Sequence, residues 1–246
     1  VTRYAQQWKD SLNYSEWLVE EDSYLDMIDG MVYGEDPRQG YVDNNTFFHP
    51  EMKFRFPIPS GWKLQNSPMQ VQLAPQDGKA LMIFTLAQQK NLDEAAKTTL
   101  EQLNLTSLTT DKTTVNGLPA IAVVSEQVSQ NQQTVEEQAI KVVSYFIDYA
   151  GSVYIFHGVS SEPDFNSYFN TFETTMVNFD ELTDSQRLNV KPKRIKIRQV
   201  RNSTTVANAL RSFGVPQDRL EEFALLNKLD LTDQVQAGKR LKTLGE

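Results

Sequence analysis

The two histidines are the side chains most able to do catalytic chemistry in this chain. His49 and His157 are its only histidines, and its 246 residues include no cysteine. A catalytic zinc takes three protein ligands, commonly with two histidines in an HExxH motif, and that motif is absent. His157 lies in an apolar strand pattern and His49 precedes Pro50 at a strand entry, so we interpret both as structural. We predict no catalytic residue and no metal ligand, although a Ser-His-Asp triad stays open because its members can be remote in sequence.

Motifs that bind phosphate or calcium are missing from the sequence as well. The chain has no P-loop, no dinucleotide-binding fingerprint and no calcium loop, each of which needs glycine at fixed positions. The acidic clusters at residues 20–22 and 136–137 are therefore interpreted as solvated surfaces. We expect no cofactor in this chain.

Six cationic residues fall within the eleven positions from Lys191 to Arg201. Such a stretch is able to bind an anionic glycan, a lipid or nucleic acid. It is also typical of an exposed edge strand, where charge prevents pairing with other chains, and both interpretations stay open. The predicted glycan- or anion-binding residues are Lys191, Lys193, Arg194, Lys196, Arg198, Arg201 and Asn202.

Charge is distributed unevenly along the chain, whose formal net charge is −8. Residues 1–189 hold 12 Lys and Arg against 26 Asp and Glu, a balance of −14, whereas residues 190–246 hold 12 against 6, a balance of +6. This change of sign is typical of a domain boundary. The acidic field of the larger part would repel phosphates, so we predict no nucleic-acid partner. No apolar run reaches the roughly 18 residues that cross a bilayer, and we predict no membrane-spanning segment.

Strands and helices alternate between residues 51 and 182. Period-two patterns predict strands at 52–58, 69–75 and 80–88. Helical spacing predicts a helix that begins at an Asn91 cap, Asn116-Gly117 predicts a hairpin, and two further strands precede a final helix. Hairpins imply antiparallel pairing. The predicted fold class is therefore α+β, an antiparallel sheet sandwiched with helices.

A polar, proline-containing stretch at residues 183–194 predicts a linker. Beyond it, residues 195–246 predict a small βααβ domain. Its strand at 195–200 is followed by helices at 204–214 and 216–229 and by a closing strand.

The stretch from residue 28 to residue 50 has neither helical period nor strand alternation. Three glycines permit turns and two prolines stiffen the backbone, so residues 1–50 are predicted to form a helical segment followed by a connector. The helical part, at residues 1–27, carries two tryptophans that we expect to dock on a neighbouring domain. Because the first residue is Val1, we expect a processed or truncated piece of a longer protein. The predicted connector residues are Gly30, Tyr33, Gly34, Asp36, Pro37, Gln39, Gly40, His49 and Pro50.

The segment from Tyr24 to Pro68 resembles the region that follows the catalytic domain in HtpX-like zinc metalloproteases of the bacterial envelope. The likeness is carried by a Gly-x-x-Tyr-Gly-x-Asp-Pro-x-Gln-Gly pattern from Gly30 to Gly40 and by a Phe-x-His-Pro that ends at Pro50. The resemblance implies that this chain is the non-catalytic C-terminal region of a zinc metallopeptidase. The zinc would lie in an upstream protease domain, which is the expected partner. The implied location is the bacterial cell envelope, periplasmic or extracytoplasmic.

Two further resemblances concern the folded domains. Residues 51–182 resemble the PsbP-like α/β/α fold in their order of strands and helices. Residues 195–246 resemble a LysM domain, the βααβ module that binds N-acetylglucosamine polymers, best at Leu226-Asn227 and from Gly238 to Leu241. At the front, where LysM domains usually carry Gly-Asp-Thr, this chain has Asn202-Ser203-Thr204. The resemblance implies peptidoglycan or an envelope protein as a partner.

Three hypotheses about function follow. In the first, which we favour, the chain is an accessory region that regulates or positions a protease and mediates a protein or cell-wall interaction. In the second, the sandwich domain is an independent ligand-binding or hydrolytic domain with a histidine and carboxylates in a pocket. In the third, the chain is a structural envelope domain without a ligand.

Overall fold

The chain folds into two compact units. The structure is a computed structural model that describes residues 21–130 and 137–245, with side chains except between 128 and 138. Residues 37–190 form the larger unit, and residues 21–36 together with 191–245 form the smaller one. The tryptophan-containing part of the predicted N-terminal helix lies outside the described residues.

Helices and strands alternate along the chain. The helices are α1 (Glu21–Ile28), α2 (Leu92–Gln102), α3 (Glu162–Val177), α4 (Ser185–Leu188), α5 (Val206–Ser212) and α6 (Leu220–Leu226), with 3₁₀ turns at Pro37–Gln39 and Gln217–Arg219. The strands are β1 (Tyr41–Asp43), β2 (Thr46–His49), β3 (Phe54–Pro57), β4 (Lys63–Asn66), β5 (Val71–Ala74), β6 (Ala80–Leu86), β7 (Thr106–Val115), β8 (Leu118–Gln130), β9 (Glu137–Tyr149), β10 (Ser152–Ser161), β11 (Asp180–Glu181), β12 (Arg194–Gln199), β13 (Thr204–Thr205), β14 (Gln234–Val235) and β15 (Arg240–Gly245).

The larger unit is built on a seven-stranded antiparallel sheet in the order β4-β5-β6-β10-β9-β8-β7. A smaller sheet has the order β1-β2-β3-β11. One core joins α3, β2, β3 and one face of the large sheet around Phe54, Phe156 and Phe172. A second core joins α2 to the opposite face around Phe146 and Ile155. The α+β class with helices on an antiparallel sheet is therefore confirmed.

Local sequence signals explain several of these elements. The Asn91 side chain accepts a hydrogen bond of 3.1 Å from the N–H of Glu94, which caps α2 as predicted. Asn116 and Gly117 have φ values of 46° and 83°, the left-handed conformation that a tight hairpin turn requires. They join β7 to β8, which confirms the hairpin.

The predicted connector contains strands that its sequence did not indicate. Residues 41–49 form the β1–β2 hairpin, which turns at Asn44 and Asn45 with φ values of 47° and 53°. Phe47 on β2 is completely buried and pairs with Phe56 on β3. Gly40 is required nearby, because it has φ +120° and a Cβ there would lie 2.5 Å from the Phe47 ring. Residues 37–50 therefore belong to the larger unit and are not a separate connector.

The smaller unit contains the predicted βααβ order. β12 pairs with β15 and β13 pairs with β14, both antiparallel. Its core is formed by α5, α6 and β15 around Leu210, Phe223 and Leu241. Asn227, at the end of α6, ties this helix to β15, because its side chain accepts from the N–H of Lys242 at 2.7 Å.

Residues 21–36 complete the smaller unit, which differs from the predicted division at residue 50. The N–H of Gly30 donates to the carbonyl of Ile195 at 2.8 Å, and the N–H of Ile195 donates to the carbonyl of Met31 at 2.8 Å. The N–H of Tyr33 donates to the carbonyl of Lys193 at 2.7 Å. β12 is therefore flanked on both sides only from residue 193 to residue 197, where the last contact is a bond from the N–H of Ile197 to the Asp29 side chain. The interpretation of its charges as protection of an exposed edge stays a prediction, because β12 belongs to a two-stranded sheet and no described strand pairs with its outer edge beyond that point.

Candidate functional site: a cleft between β12 and α5

A cleft between β12 and α5 brings three of the predicted binding residues together; we call it the arginine cleft. It has a volume of about 830 Å³, within the range of about 300–1,000 Å³ that is typical of ligand sites. The polar residues that line it are Arg198, Gln199, Arg201 and Asn202 from β12 and the following loop, and Thr204, Asn208 and Ser212 from β13 and α5.

The two arginines have a fixed backbone and free side chains. Between them Val200 is buried, its N–H donates to the carbonyl of Lys239 at 2.9 Å, and its carbonyl accepts from Gly238 at 2.8 Å. Both arginines are exposed, and within the described part of the chain neither guanidinium makes a hydrogen bond or an ion pair. Each retains all five of its N–H donors for a ligand.

The loop after β12 is anchored to the turn before β15. The Ser203 hydroxyl donates to the Gln236 side-chain oxygen at 2.9 Å and accepts from the N–H of Ala237 at 3.1 Å. This double contact holds the position of Arg201 and Asn202, two residues and one residue earlier. Ordering the loop before a ligand arrives lowers the entropy that binding would cost.

The helical wall of the cleft is polar along one line. Asn208 and Ser212 lie four residues apart on α5, the spacing that places side chains on one face of a helix, and Thr204 precedes them on β13. The Thr205 hydroxyl caps α5 by accepting from the N–H of Asn208 at 3.3 Å. The side-chain oxygen Oδ1 of Asn208 accepts from the Arg211 guanidinium at 3.1 Å. The side-chain NH₂ of Asn208 therefore has no bond to the rest of the described chain. Hydroxyl and amide groups at this spacing suit the hydroxyl-rich surface of a sugar.

Phe213 supplies an apolar patch at the end of this line. It ends α5, is half-buried and packs against the core of the smaller unit. Its ring also lines the cleft. No acidic side chain is among the described residues that line it, so the charge of the site is entirely positive.

The other predicted binding residues lie outside the arginine cleft. Arg194 donates to the carbonyl of Gly30 at 2.7 Å, a structural contact. Lys193 lines a different cavity of about 200 Å³ beside Arg219 and Phe223. Lys191 is exposed and Lys196 is half-buried. The structure thus divides the basic stretch and brings together only its C-terminal members.

The opposite side of the β12–β15 pair carries cations that are already paired. α1 contacts both strands, and Glu21 on α1 bonds to Lys239 at 2.7 Å. Arg240 bonds to Asp26 and lies 3.4 Å from Asp22. The hydrogen bond that Arg240 donates to Asp26 raises the pKa of Arg240.

The predicted connector residues do not meet at one site. The Tyr33 hydroxyl donates to the Glu222 carboxylate at 2.9 Å, and this bond is the main cause of a raised Tyr33 pKa. Gln39 accepts from the Asn66 side chain at 3.0 Å through its carbonyl, and Pro50 is buried. In the smaller unit lie Gly30, Tyr33, Gly34 and Asp36, and in the larger unit lie Pro37, Gln39, Gly40, His49 and Pro50.

Each histidine is packed separately within the larger unit. Nδ1 of His49 accepts from the N–H of Met52 at 3.2 Å, and burial lowers the His49 pKa. Nδ1 of His157 shares a 2.7 Å hydrogen bond with the Ser144 hydroxyl, and burial lowers the His157 pKa to about 4. Neither ring hydrogen-bonds to a carboxylate in the described chain.

The described residues offer no cage for a zinc ion. No three His, Cys, Asp or Glu side chains lie close enough together among residues 21–130 and 137–245. The zinc that the protease resemblance implies therefore does not fit this part of the chain, and no chemical step is derived from it.

The sequence indicated the charged side of the cleft but not the helical side. Arg198, Arg201 and Asn202 were predicted from charge density and from the LysM resemblance. Thr204, Asn208, Ser212 and Phe213 were not. The four-residue spacing of Asn208 and Ser212 is visible in the sequence and was the available signal.

Comparison with known proteins finds similarity at the level of structure. The chain matches no protein-family model and no curated protein sequence. It is similar to the cyanobacterial PsbP (CyanoP) of Synechocystis, with 10% identity and a TM-score of 0.44, over 58% of this chain and 91% of that one. It is also similar to the Ran-binding protein Mog1p of Saccharomyces cerevisiae, with 12% identity and a TM-score of 0.43, over 60% and 99%.

These similarities concern the fold alone. Structures like PsbP are among the neighbours, as the order of strands and helices suggested. No helix in the described part of the chain is long and apolar enough to span a membrane.

Proposed function

We propose that this chain is a non-catalytic binding region that tethers its parent protein to the bacterial cell wall. The smaller unit binds wall glycan through the arginine cleft. The larger unit packs on an upstream zinc protease domain and positions it. The LysM-like and HtpX-like resemblances of the sequence motivate the two halves of this proposal.

The observation that carries the proposal is the composition of the arginine cleft. Two exposed guanidinium groups without partners in the described chain lie on one side, and a line of hydroxyl and amide groups ends at the Phe213 ring on the other. Charge, hydrogen-bonding groups and an apolar ring surface are the three features by which proteins hold sugars that carry acid groups.

Retention on purified peptidoglycan tests this role. The whole chain should sediment with peptidoglycan, and the R198A/R201A variant should stay largely in the supernatant, because it lacks both cations of the cleft. The K191A/K193A variant is the matched control, since it removes the same charge from the same stretch outside the cleft. Equal retention of the two variants, or no retention of the unmodified chain, would contradict the proposal.

The link to a protease is tested by the coding region upstream of Val1. We expect an in-frame HExxH motif there, as the HtpX-like resemblance implies. A start codon directly before Val1 would overturn this part. The purified chain alone should show no peptidase activity with or without added zinc.

A further inference from the structure

We infer that the arginine cleft recognises the acid group of an anionic sugar polymer and discriminates against a neutral polymer of the same sugars. This inference rests on the proposed glycan-binding function and specifies its ligand class. The recognised group is a carboxylate or a phosphate attached to the sugar chain. Arg198 and Arg201 are the specificity-determining residues.

Some cations of the smaller unit have a hydrogen-bond or ion-pair partner, and the two arginines of the cleft do not. Arg194, Lys239 and Arg240 each have a partner within 3.4 Å. Arg198 and Arg201 have no partner in the described chain, although the 21–36 segment of the same unit carries six acidic residues and no basic one. Three of these acids pair with Lys239 and Arg240, and none of the described acids lines the cleft, so an acid of a ligand is the fitting counter-charge.

The geometry of the guanidinium group favours an acid over a neutral hydroxyl. A planar fork of N–H donors binds a carboxylate or phosphate through two parallel hydrogen bonds, which are stronger than bonds between neutral groups. A neutral sugar hydroxyl cannot accept both bonds in this way. Two arginines three residues apart, on either side of a Val200 that Lys239 and Gly238 hold, bring two such forks to the same cleft.

The wall of the cleft opposite the arginines is suited to the neutral part of such a ligand. Thr204, Asn208 and Ser212 offer neutral hydrogen-bonding groups, and Phe213 offers one half-buried ring. This wall suits a sugar, which has many hydroxyls and one apolar face per ring.

Nucleic acid is a poorer fit to the same cleft. A duplex-binding protein commonly contacts about 6–10 phosphates, whereas two unpaired cations line this cleft.

Binding of defined ligands to the whole chain tests the inference. The probes are a neutral N-acetylglucosamine tetramer, a tetramer that alternates N-acetylglucosamine with N-acetylmuramic acid, a glycerol-phosphate polymer and a single-stranded oligonucleotide. We expect at least one acidic glycan to bind about tenfold or more tightly than the neutral tetramer at low salt, because charge-assisted hydrogen bonds are the stronger ones. The preference should shrink at about 300 mM salt, where the Debye length falls below about 8 Å.

Matched variants assign the preference to the cleft. R198Q/R201Q should reduce affinity for the acidic glycan to that of the neutral tetramer, whereas K191Q/K193Q should keep the preference. The carboxylate and phosphate arms identify which acid the cleft takes.

The two proposals fail in different ways. Equal affinity for acidic and neutral tetramers, or equal loss in both double variants, would overturn the acid-recognition inference while glycan binding stands. Absence of binding to every glycan would overturn the proposed function itself. Tighter binding of the oligonucleotide than of any glycan would replace both with a nucleic-acid role.

Discussion

The cations on one side of the β12–β15 pair have acidic partners, whereas Arg198 on the other side has none in the described chain. On one side Lys239 and Arg240 are paired with acids of α1. On the other side Arg198 lines an open cleft without a partner in the described chain. In the register of the pair, Arg198 lies opposite the buried Leu241 whereas Gln199 lies opposite Arg240, and directly opposed residues share a face.

The difference separates cations that hold the unit together from cations that are available to a ligand. Exposed ion pairs contribute little stability, roughly 0–1 kcal/mol each, so α1 is held mainly by its apolar residues. Leu25 and Ile28 are buried, with exposed fractions of 3% and 8%. The proposed function assigns ligand affinity to the charge on the cleft side.

The largest effect should come from the apolar contact of α1. Leu25→Ala is expected to destabilise the smaller unit by about 2–5 kcal/mol, because it removes buried methyl groups and leaves a cavity. Hydrogen exchange of the β12 amides, which α1 and residues 29–33 cover, measures the effect. Arg198→Ala is the control and should leave exchange nearly unchanged; similar loss of protection in both variants would erase the distinction between the two sides.

The next effect concerns the larger unit, which acid should destabilise through His157. Burial favours the neutral ring and lowers its folded pKa to about 4 from 6.5. Because the unfolded chain takes up a proton below about pH 6.5, stability is complete above that pH and is lost as the pH falls towards 4. The loss should be about 3 kcal/mol, since each pKa unit corresponds to about 1.4 kcal/mol.

Urea unfolding at pH 7, 5 and 4 measures how the free energy of unfolding changes with pH. The His157→Gln variant lacks the titrating ring, so its free energy of unfolding should change less between pH 7 and pH 4, whatever its value at pH 7. An unchanged slope would mean that other groups cause the acid sensitivity. The result also matters for the smaller unit, since glycan binding must be measured at a pH where the larger unit is folded.

Local patterns in the sequence were sufficient for most of the larger unit. The Asn91 cap and the Asn116-Gly117 turn depend on neighbours within a few residues. The β1–β2 hairpin escaped notice because its strands are only three and four residues long. Its turn at Asn44 and Asn45 lies in a stretch where glycine and proline dominate.

Long-range contacts decide the features that the sequence could not reveal. Pairing of Met31 with Ile195 leaves no local pattern, because the two residues are far apart in the chain. The same holds for the arginine cleft. Its positive charge was visible, but which cations stay unpaired depends on Glu21, whose partner Lys239 lies 218 residues away.

The smallest effect should come from the ion pairs of α1, and it sharpens the comparison most directly. Asp26→Asn removes one partner of Arg240, whose side chain is 25% exposed against 69% for Asp26. The expected cost is below about 1 kcal/mol at low salt and should vanish near 1 M salt, where the Debye length is about 3 Å. Arg198→Ala should show the reverse profile, with stability changed by less than about 0.5 kcal/mol and affinity for the acidic tetramer reduced.

The double variant D26N/R198A tests whether the two sides act independently. Asp26 and Arg198 share no partner in the described chain, so their effects on stability and on glycan affinity should add. Urea unfolding and tetramer titration on the four proteins of this cycle measure both. A coupling above about 0.5 kcal/mol in either quantity would mean that α1 and the cleft communicate through the β12–β15 pair, and the charge on the α1 side would then regulate the ligand.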